Sequence, residues 1–169
     1  PPAEAVGIDG IEKIIKEESL IRACEDGQDK EARWNMMMAS TEGAMAFSKG
    51  LGAVHSMSHA LGANQELRLH HGTLNAVILP SVLRFNQNHV ENKYTRIASA
   101  MGDKVTTDLA NEIEKLNEKI GMPASLSEMG VTEDMIPQLV AHAATDPSNL
   151  TTPRLPSIEE WEKLFLEAM

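Results

Sequence analysis

Apolar residues recur at intervals of three and four along most of this chain, which is the spacing of one helix face. Between Ile8 and Ile21, isoleucines at this spacing are separated by Glu and Lys, which predicts an amphipathic helix that Gly27 ends. Asp29 is suited to cap the next helix, over about residues 30–49. Three residues of that helix are interpreted as adaptable core filling: Met36, Met37 and Met38.

The second half of the chain carries clear helix boundaries. A helix that starts near residue 90 ends at Gly102, and an apolar stripe over residues 105–120 ends at Gly121. Residues 146–156 (DPSNLTTPRLP) predict a loop before the last helix. Capping residues predict three further helix starts, at Ser125, Thr132 and Ser157. The last helix has an apolar face formed by Trp161, Leu164, Phe165 and Ala168.

No segment shows the alternating pattern of a strand, and neither a βαβ unit nor an internal repeat is present in the sequence. The segment 73–82 (TLNAVILPSV) is apolar enough to form a central helix. We therefore predict an all-α fold, a bundle of about seven or eight helices. Residues 1–169 are expected to form a single domain.

Composition supports this interpretation and excludes several functions. Aromatic residues make up 4% of the chain, whereas there are 10 Met, and this balance favours helix over strand. The net charge of −10 disfavours nucleic acid and anionic membrane surfaces as partners. No apolar run reaches the roughly 18 residues of a membrane span, and we expect a cytoplasmic protein. An opening of Pro1-Pro2-Ala3 without Met is expected of a processed product or a piece of a longer protein.

Histidines concentrate in one short stretch of the chain. His55 and His59 are four residues apart and share one helix face, and His70 and His71 follow a polar segment. Such a set is typical of metal ligands, and it is also typical of a polar patch or a hydrogen-bonded core pair. Glycines on both sides indicate close approach of backbone or ligand. The nearest acid in sequence is Glu66.

The remaining candidates have simpler interpretations. His89 and His142 stand alone and are expected to be ordinary surface or core histidines. Cys24 is interpreted as a small hydrophobic residue on the inner or flanking face of the first helix. Arg154, between two prolines, is suited either to hold an anion or to tie down its loop. No phosphate-binding loop or nucleophile elbow is present in the sequence.

Several long segments occur in the order found in one enzyme family. The segments GAMAF, LGAVHSMSHALGA and HHGTLNAVILPSVLRFN, and the tail DPSNLTTPRLPSIEEW, resemble the signature of the iron-type (group III) alcohol dehydrogenases. The resemblance covers essentially the whole chain, and it is to the C-terminal helical domain of that family alone. It implies that an N-terminal dinucleotide-binding α/β domain is missing, and that a divalent metal binds between the two domains.

The resemblance also implies roles for three histidines. His55 and His71 match metal ligands, and His59 matches a histidine that handles the substrate and is our catalytic candidate. The family's ligand Asp and its further ligand His have no counterpart here. The family commonly has Pro-His-Gly where this chain has His70-His71-Gly72, so ligation by His70 stays an alternative.

The implied activity is hydride transfer between an alcohol or hydroxy acid and NAD(P), assisted by Fe²⁺ or Zn²⁺. We expect no dehydrogenase activity from residues 1–169 alone, because two ligands bind a metal weakly and the dinucleotide domain is missing. The expected partners are an alcohol or aldehyde substrate, the missing domain and further copies of the chain. Two alternatives stay open: a standalone interaction or oligomerisation module, and a metal-binding protein without redox chemistry.

Overall fold

Helices form where apolar positions repeat at three- and four-residue intervals. The computed structural model describes residues 1–16, 18–90, 92–102 and 105–169. These residues contain no strand, which confirms the all-α prediction. Within these ranges there are nine α-helices: α1 (Pro2–Ile11), α2 (Ser19–Glu25), α3 (Lys30–Ala46), α4 (Ala53–Gly62), α5 (His71–Asn86), α6 (Lys93–Met101), α7 (Leu109–Lys119), α8 (Ile136–Thr145) and α9 (Ile158–Ala168).

The prediction of a single helix between Ile8 and Gly27 is wrong. Helix α1 ends at Ile11, a π-helical turn covers Glu12–Lys16, and α2 begins only at Ser19. Glu18 has a φ of 52°, in the left-handed region, and an α-helix cannot continue through such a residue. The described residues contain nine α-helices in all, against the seven or eight predicted.

Helix α3 has the predicted start but not the predicted buried face. The Asp29 side chain accepts a hydrogen bond from the backbone N–H of Ala32, which confirms the cap. The prediction that the three methionines fill the core is wrong for Met37, which is 61% exposed. The buried face of α3 carries Ala32 and Ala39, which are seven residues apart and therefore lie on one side of the helix. Cys24, expected on an inner or flanking face, is exposed on α2.

The helix expected at Ser125 is replaced by a single turn. The Ser125 hydroxyl accepts from the N–H of Glu128, as a capping residue would. Gly130, however, has a φ of 88°, and Val131 N–H donates to Leu126 O across it. This is the geometry that ends a helix, so the segment is closed after one turn.

The other two predicted starts are confirmed. Thr132 precedes a 3₁₀ turn, Glu133–Met135, that leads into α8, although the Thr132 side chain makes no cap. Ser157 and Glu160 form both hydrogen bonds of a capping box at the start of α9.

The chain divides into two compact units, residues 1–49 with 91–109 and residues 50–90 with 110–169. In the first unit α1 packs on α3 and α6, and α2 packs on α3. In the second, α4 packs on α5 and α8, while α9 packs on α5 and α8. The assignment of residues 1–169 to one domain stays a prediction. The largest buried side chains of the second unit are Trp161, Phe165, Met57, Leu61, Leu74, Ile78 and Leu126.

None of the helices in the described ranges is both long enough and apolar enough to cross a membrane.

Candidate functional site

Three histidine rings meet within the second unit. His55 and His59 lie on α4, and His71 is the first residue of α5. The ring centroids are 5.8 Å apart for His55 and His59, 5.4 Å for His55 and His71, and 5.5 Å for His59 and His71. The rings of His59 and His71 are stacked, with 13° between their planes. We refer to His55, His59 and His71 as the histidine cluster.

His70 is outside the histidine cluster, although it is adjacent to His71. Its side chain caps α5, with Nδ1 accepting from the N–H of Thr73 at 3.3 Å. The two neighbouring histidines therefore have different contacts: His70 caps α5, whereas the ring of His71 lies beside those of His55 and His59. This geometry favours His71 over His70 as a ligand, since the His71 ring faces the other two histidines.

The Asn75 side chain lies between two rings of the histidine cluster. Its Nδ2 is 3.2 Å from Nε2 of His71 and 3.5 Å from Nε2 of His55. Two Nε2 atoms therefore converge on one amide group. The Oδ1 atom of Asn75 is buried and has no hydrogen-bond partner among the residues that the structure describes. Nδ1 of His71 is 3.4 Å from the hydroxyl of Ser58, which is buried.

An acid reaches the histidine cluster from a distant part of the chain. Oδ2 of Asp146 is 3.0 Å from Nδ1 of His59. Its second oxygen, Oδ1, accepts from the N–H of Ser148 at 2.8 Å, which starts the 3₁₀ turn Pro147–Thr151. The Asp146 side chain is 16% exposed and that of His59 is 40% exposed. The loop predicted over residues 146–156 thus supplies a partner for the catalytic candidate.

The Pro147–Thr151 turn is held against the start of α4. The Ser56 hydroxyl donates to Oδ1 of Asn149 at 2.7 Å, and the Thr151 hydroxyl donates to Leu51 O at 3.0 Å. Gly50 has a φ of 106°, and a β-carbon there would lie 2.3 Å from the Thr151 side chain. Only glycine therefore permits this close approach.

The pKa values of His55 and Asp146 are both lowered, for different physical reasons. Burial lowers the pKa of His55, and the neighbouring rings of His71 and His59 lower it further. His55 is therefore held in its neutral form, the form that binds a metal. Burial would raise the pKa of Asp146, but hydrogen bonds from Ser148 and His59 outweigh it and lower the pKa. Asp146 is therefore a carboxylate at neutral pH.

The donor atoms fit a metal as part of a ligand set. Imidazole nitrogen is a common ligand of Zn²⁺ and Fe²⁺, and His55 and His71 direct Nε2 to one place. In the part of the chain that the structure describes, no group of three or more His, Cys, Asp or Glu side chains is arranged to hold a metal ion. His55 and His71 thus fit as two ligands, and not as a complete set.

The structure brings together all three histidines predicted from sequence, and it adds two residues that were missed. Asn75 is four residues after His71 on α5, so helical spacing alone could have indicated it. Asp146 gave no such signal. His89 and His142 are exposed and outside the cluster, and Glu66 is likewise exposed. Arg154 pairs with Glu160, as expected of a residue that ties down its loop.

Sequence comparison gives this arrangement a family context. The profile of the Fe-containing alcohol dehydrogenase family, C-terminal part, matches residues 3–169. A 4-hydroxybutyrate dehydrogenase of Cupriavidus necator is 42% identical over 100% of this chain and 46% of its own length. A 1,3-propanediol dehydrogenase of Klebsiella pneumoniae is 33% identical over 99% of this chain and 45% of its own length. The chain thus spans less than half of these relatives.

Solved structures agree with the sequence comparison. A crystal structure of a 1,3-propanediol oxidoreductase superposes on 100% of this chain and 46% of its own, with a TM-score of 0.90 and 32% identity. An alcohol dehydrogenase from Oenococcus oeni gives a TM-score of 0.90 and 28% identity, again over 100% of this chain and 46% of its own. By its sequence match over residues 3–169, the chain belongs to the Fe-containing alcohol dehydrogenase family and corresponds to its C-terminal part.

Proposed function

We propose that this chain is the helical, metal-binding and substrate-binding part of an NAD(P)-dependent alcohol dehydrogenase. The substrate class is a small primary alcohol or hydroxy acid, by analogy with relatives named for 4-hydroxybutyrate and 1,3-propanediol. In the complete enzyme the alcohol loses a hydride to NAD(P)⁺ and a proton to the protein or solvent, which leaves an aldehyde. A dinucleotide-binding domain is the expected partner. A cytoplasmic location and assembly into homo-oligomers stay predictions.

The observation that carries the proposal is the convergence of His55 and His71 on Asn75. Two imidazoles that present Nε2 to one point form half of a catalytic metal site. Of these two histidines, His55 is half-buried and His71 is exposed.

In this proposal the residues of the histidine cluster have different roles. His55 and His71 hold Fe²⁺ or Zn²⁺, with His70 confined to its capping role. His59, which is more exposed than Asp146, orients the substrate hydroxyl or takes up its proton. When bound, the metal supplies Lewis-acid chemistry that favours ionisation of the alcohol, and NAD(P) supplies the hydride acceptor.

The test uses the complete polypeptide that carries this chain and its dinucleotide-binding domain. We expect reduction of NAD(P)⁺ with 4-hydroxybutyrate or 1,3-propanediol and about one metal ion per chain. His55→Ala and His71→Ala should each lower the bound metal and lower kcat/KM by more than about 100-fold, because loss of even an outer-shell partner costs 10- to 100-fold. Metal content is measured by mass spectrometry and activity by absorbance of NAD(P)H.

Two controls define the outcome. His89→Ala removes an exposed histidine outside the cluster and should leave both metal content and turnover unchanged. Residues 1–169 alone should not turn over NAD(P)H. Turnover by this chain alone, or full metal content in the His55→Ala and His71→Ala variants, contradicts the proposal. Metal binding by the complete protein without any turnover supports the non-redox alternative instead.

A further inference from the structure

The hydrogen bond between His59 and Asp146 determines which ring nitrogen of His59 carries the proton, as well as where the two side chains lie. A carboxylate has acceptors only, so the atom of His59 that faces it must carry the proton. The distance from Nδ1 of His59 to Oδ2 of Asp146 is 3.0 Å, which is an ordinary hydrogen bond. Neutral His59 is therefore the Nδ1–H tautomer, and its Nε2 keeps a free lone pair.

The carboxylate is itself held in a fixed orientation. Oδ1 of Asp146 accepts from the N–H of Ser148, and Oδ2 is the oxygen that faces the histidine. Hydrogen bonds from Ser56 to Asn149 and from Thr151 to Leu51 hold the turn against α4. The carboxylate thus lies at the start of the Pro147–Thr151 turn and the imidazole lies on α4, and hydrogen bonds join the turn to the start of α4.

The ring of His59 is restrained on its other sides as well. His71 stacks on one face, and the His55 ring lies at 70° to it with a centroid distance of 5.8 Å. These two rings limit tilting of His59, while the hydrogen bond to Asp146 limits rotation in the plane of the ring. With 40% of the His59 side chain exposed, the ring remains accessible from outside.

We propose that Asp146 is a positioning residue that fixes His59 in one orientation and in the Nδ1–H tautomer, so that Nε2 is available as the proton acceptor. This inference rests on the proposed function for the identity of the proton donor, the substrate hydroxyl. Asp146 itself does not contact the substrate in this scheme. Its role is the one that a buried acid plays behind a histidine base in other enzymes.

The substitution Asp146→Asn should change the tautomer of His59 while it keeps the side chain at position 146 in place. Asparagine retains one oxygen, and the N–H of Ser148 requires it, so the NH₂ group is left to face Nδ1 of His59. That NH₂ group is a donor, and it forces the His59 proton onto Nε2. The turn keeps its cap, because asparagine caps as well as aspartate does.

The experiment uses the complete enzyme with ¹⁵N-labelled histidine, and spectra are recorded over a pH series so that the neutral form of His59 is observed directly. Long-range ¹H–¹⁵N spectra report which ring nitrogen of His59 carries the proton, and His59→Gln identifies its signals. We expect Nδ1–H in the wild type and Nε2–H in Asp146→Asn. In the same samples kcat should fall by about 10²-fold, the lower range of a general acid–base contribution, with KM and metal content unchanged.

A double-mutant cycle shows whether Asp146 acts through His59. The loss of kcat in the double variant of Asp146→Asn and His59→Gln should equal the loss in His59→Gln alone. Thr145→Ala is the matched control, because Thr145 is next to Asp146 in sequence and its hydroxyl donates to carbonyls of its own helix. It should retain wild-type kcat and the wild-type tautomer.

Three results overturn the inference: an unchanged tautomer in Asp146→Asn, additive losses in the cycle, or a loss of metal in that variant. The tautomer is measured without turnover. A complete enzyme that lacks dehydrogenase activity but shows Nδ1–H at His59 therefore contradicts the proposed function and leaves the positioning by Asp146 in place.

Discussion

At the scale of single residues, Arg154 illustrates how one side chain fixes a loop. Its Nη1 lies 2.8 Å and 3.0 Å from the two carboxylate oxygens of Glu160, and its Cζ lies 3.9 Å from the centroid of the Phe85 ring. The same carboxylate accepts from the N–H of Ser157 at 2.8 Å. The Glu160 carboxylate thus completes the capping box of α9 and also pairs with Arg154 of the preceding loop.

This double role predicts a pH-dependent contribution to stability. The hydrogen bond from Ser157 and the pairing with Arg154 lower the pKa of Glu160 below its usual 4.5. A lowered pKa in the folded state means that the contribution is complete above the pKa of the unfolded chain. It is lost as the pH falls through the folded value.

We therefore compare the free energies of unfolding of the wild type and Glu160→Gln in urea. The wild type should be the more stable at about pH 6, and the difference should shrink as the pH falls below about 4.5. A difference that stays constant down to about pH 3 would show that Glu160 does not titrate with a lowered pKa.

At the scale of elements, α5 contains a proline that requires a compensating donor. Pro80 has no N–H, so the carbonyl of Ala76, four residues earlier, loses its helical partner. Nδ2 of Asn117, on α7, donates to that carbonyl at 2.8 Å. The amide of one helix thereby completes the hydrogen bonding of another.

This pairing can be measured with a thermodynamic cycle. Asn117→Ala should destabilise the protein by about 1 kcal/mol, because the Ala76 carbonyl is left without a partner. In the Pro80→Ala background, the backbone N–H of residue 80 becomes available, and Asn117→Ala should cost much less. Equal costs of Asn117→Ala in both backgrounds, measured by urea unfolding, would refute the compensation.

Element types followed from local patterns, while their exact ends often depended on single backbone angles. Ser157 and Glu160 are three residues apart, and their capping box was predictable because both partners belong to the same turn. The break at Glu18 and the closure at Gly130 depend on left-handed residues. A left-handed glutamate gives no signal in the sequence, so the pattern of isoleucines predicted one helix in place of two.

At the scale of the whole molecule, the two units differ in the size of their buried side chains. The second unit has a core of large apolar residues, including Trp161 and Phe165. In the described part of α1, the one buried residue is Gly10, and α3 buries Ala32, Ala39 and Glu42. Small residues contribute little apolar area, and the first unit therefore gains less free energy from its packing.

Amide hydrogen exchange should reveal this difference. We expect the amides of α5 and α9 to exchange about 10²-fold more slowly than those of α1 and α3, because helices with few buried apolar contacts open locally. Mass spectrometry of peptic peptides from the complete protein gives both rates in one sample. Equal protection in the two pairs of helices would contradict the expectation.

The candidate site was predictable to the extent that its members are close in sequence. His55, His59 and His71 lie on consecutive helices, so short-range spacing and the resemblance both indicated them. Asp146 is 87 positions from His59, and their contact depends on the docking of a turn onto α4. No periodicity encodes that docking, and for this reason the histidines were predicted without their acid.

The separation between His59 and Asp146 also has a consequence for the order of folding. Contacts between neighbouring helices form early, since closing a short loop costs little conformational entropy. The histidine cluster can therefore assemble as soon as α4 meets α5. The Thr151 hydroxyl, by contrast, reaches a carbonyl 100 positions earlier, and it is synthesised long after that carbonyl. We expect the imidazoles to gather first and the carboxylate that orients His59 to arrive only when the final third of the chain has folded.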